Sequence, residues 1–83
     1  MIKMNKEELV AKLIEIAGQV FRADTTGFNA DTNIHEALGT KSLMRIGYLA
    51  QIEDEFDAMI PIAEFGGIPT FGDLADRVLE EME

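Results

Sequence analysis

The sequence contains no cysteine. That excludes a disulfide scaffold, an iron–sulfur cluster, a thiolate metal site and a cysteine nucleophile. Histidine is nearly absent: His35 stands alone, so a hydrolytic triad has one possible base and no sign of a serine poised beside it. Bases are scarce, with 7 Lys plus Arg against 16 Asp plus Glu and a formal charge of −9. A nucleic-acid binder needs a basic footprint to displace counterions, and an anionic membrane surface would repel such a chain. No apolar run nears the length of a membrane span, and Met1 to Asn5 shows no signal-like apolar region. Two prolines and 47% apolar residues in 83 describe a globular chain, not a disordered one. The expectation is one soluble, cytoplasmic domain over residues 1–83, monomeric, without nucleic acid and without stable membrane insertion.

What the sequence does have is helical periodicity and a lopsided charge. Residues 1–23 carry four bases against three acids, and residues 24–83 carry three bases against thirteen acids. The acidic part is either a solvated surface or a docking face for basic partners. Asn5 followed by Glu8 reads as a helix cap, and Leu9, Leu13, Ile16, Ala17, Val20 and Phe21 form one apolar stripe behind it. The spacing predicts a first helix over about 6–21. Residues 22–40 read as a long loop rich in turn formers, pinned by Phe28, Ile34 and Leu38. A second long helix begins at Thr40 or Lys41 and runs to about Asp57. At about 100° per residue, Leu49, Ile52 and Phe56 share one arc with Tyr48 at its edge, while Leu43, Ile46 and Ala50 share another. One helix in a small bundle does not need two buried faces, so the second arc is a candidate exposed contact surface. Ile62 to Phe65 fit one short turn of helix before Gly66-Gly67. Thr70 with Asp73 then caps a last helix over about 71–82, whose stripe is Phe71, Leu74, Ala75, Val78, Leu79 and Met82. No segment alternates. The fold class expected is all-α, with three main helices and one short one.

Chemistry-bearing patterns are few. Asp31, Asn33 and His35 suggest a calcium loop, but its glycine position is Glu36 and its bidentate position Ser42, so the match fails. Zinc-ligand spacing is absent, Gly66-Gly67 lacks the spacing and lysine of a phosphate loop, and His35 reads as a solvated loop residue. Glu53-Asp54-Glu55 with Asp57 reads either as a solvated helix face or as a loose divalent-cation surface. Lys41 and Arg45 flank Ser42 in the first turn of the second long helix, against the helix macrodipole, at about 0.3–1 kcal/mol for each exposed cation. An anion at Ser42 would reverse that sign, while an ordinary serine cap would need none.

The run Gly39-Thr40-Lys41-Ser42-Leu43, then Ile52-Glu53-Asp54-Glu55-Phe56-Asp57 and Ile60-Pro61, closely resembles the acyl carrier proteins. Their motif is Gly-x-Asp-Ser-Leu at the start of the second helix, followed by an acidic stretch ending in Phe and then Ile-Pro. The resemblance spans nearly the whole chain. It implies a non-enzymatic carrier with 4′-phosphopantetheine, taken from coenzyme A by a phosphopantetheinyl transferase, esterified to Ser42 and flanked by Lys41, Leu43 and Arg45. The arm would supply the sulfur that the sequence lacks.

The resemblance further implies that the helices can part to shelter an acyl chain, with Phe28, Leu49, Ile52, Phe56, Ala63 and Leu74 as lining candidates that core packing explains equally well. Met44, Ile46, Gly47, Ala50, Glu53 and Asp54 are the candidate contacts for acyl-activating, acyltransferase or synthase partners. Two departures mark the chain. Lys41 stands where the family has Asp, and Met44, Arg45 and Gly47 stand where acidic partner contacts are common. They point to a specialised carrier in surface-lipid (lipid A) assembly or secondary metabolism. An aminoacyl or peptidyl carrier, and an unmodified carrier-fold interaction module, are the alternatives.

Overall fold

The computed structural model describes residues 4–39 and 41–82. Five helices follow in chain order: α1 (Lys6–Phe21), α2 (Ile34–Leu38), α3 (Ser42–Phe56), α4 (Ile62–Phe65) and α5 (Phe71–Met82). The described residues form no strand, and the isolated bridge between Asn33 and Thr70 is their nearest approach to one. The all-α bundle of three main helices stands as the periodicity predicts.

α1 is the hub, packing against both α3 and α5. It begins where the Asn5 side chain accepts from the Glu8 backbone N–H at 2.8 Å. It ends where Arg22 turns left-handed, at φ 53°. Leu9, Leu13, Ile16 and Ala17 face the core, where they meet Tyr48, Leu49 and Ile52 of α3 and Phe71, Leu74, Ala75 and Val78 of α5. The start of α5 is fixed by the Thr70 hydroxyl, which accepts from the Asp73 N–H at 3.1 Å and donates to the Asp73 carboxylate at 2.8 Å. Met82, the last residue of the predicted stripe, is 39% exposed at the helix end.

Four expectations need correction. The stretch between the first two long helices is not all loop, because residues 34–38 form α2, capped by Asn33 Oδ1 accepting from the Glu36 N–H at 2.9 Å. Gly39 ends α2 at φ 83°, a region that suits a residue without Cβ. Tyr48 is not an edge residue: it is fully buried, its hydroxyl donates to the Leu13 carbonyl at 2.7 Å, and its ring meets Phe21 and Phe65 edge-on. Burial without a compensating charge pushes its phenol far above the ordinary tyrosine range. His35 is no solvated loop residue but sits half-buried in α2. The long helix after Gly39 starts at Ser42, with Lys41 as its cap; Thr40, the other predicted start, lies outside the described residues.

The rest of the 22–33 segment is held by its own side chains. Asp24 Oδ1 accepts from the Thr26 N–H and hydroxyl, Thr32 Oγ1 from the Asn29 N–H, and Asn29 Oδ1 from the Asp31 N–H. Phe28 stacks obliquely on Phe71 at 6.0 Å, and the Gly72 N–H donates to the Ala30 carbonyl at 2.8 Å. This pinning brings the segment against α5 and sets α2 beside the start of α3.

Candidate functional site

α3 begins unlike the other four helices. Glu7 and Glu8, Glu36, Glu64 and Asp73 place acid in the first turns of α1, α2, α4 and α5, whereas the first turn of α3 has none. Its cap residue is Lys41, whose side chain makes no capping hydrogen bond. Ser42 is therefore an exposed residue at a helix N-terminus whose first turn holds no acid. Those residues suit a covalently attached phosphodiester: the hydroxyl is accessible, the helix end favours an anion, and Lys41 is exposed beside it.

Arg45 does not join Lys41 there. Its guanidinium lies over the Phe65 ring at 5.1 Å, and its Nη2 is 3.5 Å from His35 Nδ1. The helical angle carries the signal that the flanking-cation reading overlooked. At about 100° per residue, Arg45 falls between Ile52 and Phe56 on the core arc, not on the outer face. A long side chain there covers apolar surface with its stem and flattens its head against an aromatic ring.

The second arc is exposed, as the two-face argument predicts. Leu43 is 83% exposed, Ile46 53%, and Ala50 is on the surface. Sequence reasoning missed two residues that join them, Met59 and Ile62, both exposed. Ile46, Leu49, Ala50, Met59, Ile60 and Ile62 line a mostly apolar groove of about 370 Å³ between α3 and the start of α4, with Glu53 at its rim. Ile46 follows Ser42 by one turn on the same side of α3. Met59 lies in the short connection after α3, between buried Ala58 and Ile60, where no period in the sequence marks it.

The remaining candidates divide. Ile46, Ala50, Glu53 and Asp54 are exposed, and Ala50, Glu53, Asp54 and Asp57 surround a polar depression. Met44 is half-buried against the core, and a Cβ added at Gly47 would touch Val20 of α1, so these two face inward. Leu49, Ile52, Phe56 and Leu74 are buried together, and half-buried Phe28 packs against the core. Ala63 is exposed on α4 and is not among them, because the single turn of α4 spends its inward position on Phe65. Phe28 also lines a larger apolar groove of about 630 Å³ with Val10, Ala11, Ile14 and Ala30, remote in sequence from Ser42. Among the described residues no three His, Asp or Glu side chains converge as a metal site, and no helix is long and apolar enough to cross a membrane.

Comparison with known proteins gives two kinds of match. The family model described as "Phosphopantetheine attachment site" matches residues 11–78. The chain is also 33% identical over 75 residues to an acyl carrier protein of Lactobacillus acidophilus, covering 90% of this chain and 94% of the relative. It is 30% identical over 70 residues to an acyl carrier protein of Prochlorococcus marinus, covering 84% of this chain and 88% of the relative.

Proposed function

The chain belongs to the acyl carrier protein family, and from that premise we propose that Ser42 carries the 4′-phosphopantetheine arm on which acyl intermediates travel as thioesters between partner enzymes. The observation that carries this reading is the start of α3: an exposed serine hydroxyl in the one described helix whose first turn holds no acid. When bound, the prosthetic group supplies a flexible tether ending in a thiol. The chain's own residues present and shelter. The Ser42 hydroxyl is the attachment oxygen, the N-terminal turn of α3 and Lys41 offset the negative charge there, and the groove from Ile46 to Ile62 offers apolar cover to a chain folded back from the arm.

The same reading makes the protein a specialised carrier of lipid assembly or secondary metabolism, modified by a phosphopantetheinyl transferase and working as a single unit in the cytoplasm. Lys41 supports the specialisation: a partner that approaches Ser42 meets a cation and the apolar side chains of Leu43 and Ile46. Acid begins only at Glu53, about three turns further along α3. A second reading, an unmodified interaction module, draws on the same exposed apolar face.

Incubation with coenzyme A and a broad-specificity transferase separates the two. The carrier reading expects one arm per chain by intact mass, lost in Ser42→Ala. Failure of several transferases, together with partner capture undiminished in Ser42→Ala, supports the module instead.

A further inference from the structure

Three side chains meet where α2, α3 and α4 join. His35 Nε2 lies 2.9 Å from the Ile68 carbonyl oxygen. A carbonyl can only accept, so in the neutral ring the proton is on Nε2 and the lone pair is on Nδ1. That lone pair faces Arg45 Nη2 at 3.5 Å, and a guanidinium can only donate. Phe65 completes the cluster, with Arg45 over its face at 5.1 Å and the His35 ring meeting it edge-on at 5.3 Å. Arg45 Nε is buried with no hydrogen-bond partner, so the guanidinium is held by few polar contacts.

We infer that His35 and Arg45 form a proton-operated clasp that positions α4 against α3. With His35 neutral, Nδ1 accepts from Arg45 and keeps the guanidinium over Phe65. A proton taken from solvent at Nδ1 consumes the lone pair and sets a second positive charge against the guanidinium, while Nε2–H stays on Ile68. No other bond is made or broken.

Few charged groups stand around the ring. α3 contributes Arg45 itself, with Lys41 exposed at its start. The sole charged residue of α4, Glu64, is bound to Arg77 of α5 at 2.6 Å. Residues 66–70 carry no charge, and Glu36, on the ring's own helix, is exposed. The released guanidinium leaves α4 with less to hold Phe65 in place. Because α4 carries Ile62, one wall of the groove beside Ser42, the clasp would widen that groove on protonation. This last consequence rests on the carrier reading; the clasp does not.

Nitrogen-15 NMR on the unmodified full chain tests it, since the ring signals come from the single histidine. The clasp expects the Nε2–H tautomer when the ring is neutral. It also expects the Phe65 and Gly66 amides to shift, and to exchange severalfold faster, with the midpoint of His35 itself. His35→Gln, which can still donate to the Ile68 carbonyl but takes no proton, should abolish that response. Arg45→Met should abolish it while His35 still titrates. An Nδ1–H tautomer, or α4 amides that ignore the His35 midpoint in the wild-type chain, would overturn the clasp whether or not either variant folds. Neither result depends on the arm, so failure here and failure of attachment at Ser42 are separately visible.

Discussion

Lys41 occupies a cap position where its side chain makes no capping hydrogen bond and its charge opposes the helix. Lys41→Asp supplies both a cap acceptor and a favourable charge, so the unmodified protein should gain about 1 kcal/mol in denaturant unfolding. The same variant should be modified severalfold faster by a transferase that serves carriers with Asp before the serine. A faster reaction without added stability, or the reverse, would show which role Lys41 has. Tyr48 gives a second test, because Tyr48→Phe removes the bond to the Leu13 carbonyl from a fully buried ring. A loss of about 0.5–1.5 kcal/mol is expected, with the helical circular dichroism unchanged. Asp24 sets a pH dependence. The Thr26 hydroxyl and then its N–H hold the Asp24 carboxylate below its usual range. Its folded pKa is thus depressed, so its contribution is present above the unfolded carboxylate range and is lost as pH falls through the folded value. In Asp24→Ala the melting temperature should fall less between neutral and acid pH than in the parent.

The long helices were legible in sequence because burial on one side imposes a 3.6-residue period, and α1 and α5 show it over three or more turns. α2 was not, since a five-residue helix is too short to show a period. Its trace was Asn33 followed by Glu36, the same cap signal that marked α1. Tyr48 and Arg45 show what periodicity leaves out. An angle on a helical wheel gives a direction but not the depth of what stands opposite, and here Phe65 of a one-turn helix fills that space. Ser42 stood out as a candidate through its motif and its flanking charges, whereas Met59 lies in a connection without periodicity and Ile62 opens a helix of a single turn. Element ends supply two further tests. Asp57 closes α3 at φ 56°, left-handed and acidic at a helix C-terminus, so Asp57→Gly should stabilise by about 1 kcal/mol in thermal unfolding. At the start of α5 a Cβ on Gly72 would stand 3.1 Å from the Ala30 carbonyl oxygen, so Gly72→Val should destabilise by about 1–3 kcal/mol.

Across the whole molecule the charge is one-sided: residues 24–83 hold thirteen of the sixteen acids. The four ion pairs among the described residues (Lys6–Asp76, Lys12–Glu15, Arg77–Glu64 and Arg77–Glu81) engage four of those sixteen. The rest repel at neutral pH, and moderate salt or magnesium should raise the melting temperature by screening them. A melting curve that ignores both would remove self-repulsion from the account. The field also bears on function, since it favours partners with basic surfaces along the later turns of α3 and leaves the serine end to apolar contact and to Lys41. The carrier reading rests on an arm at one oxygen. Intact-mass and fragment-mass analysis of the chain purified from its native host while its pathway is active tests that most directly. The account predicts a single phosphopantetheine adduct localised to Ser42 and absent in Ser42→Ala; a chain that is bare under those conditions, or an adduct on any other residue, would contradict it.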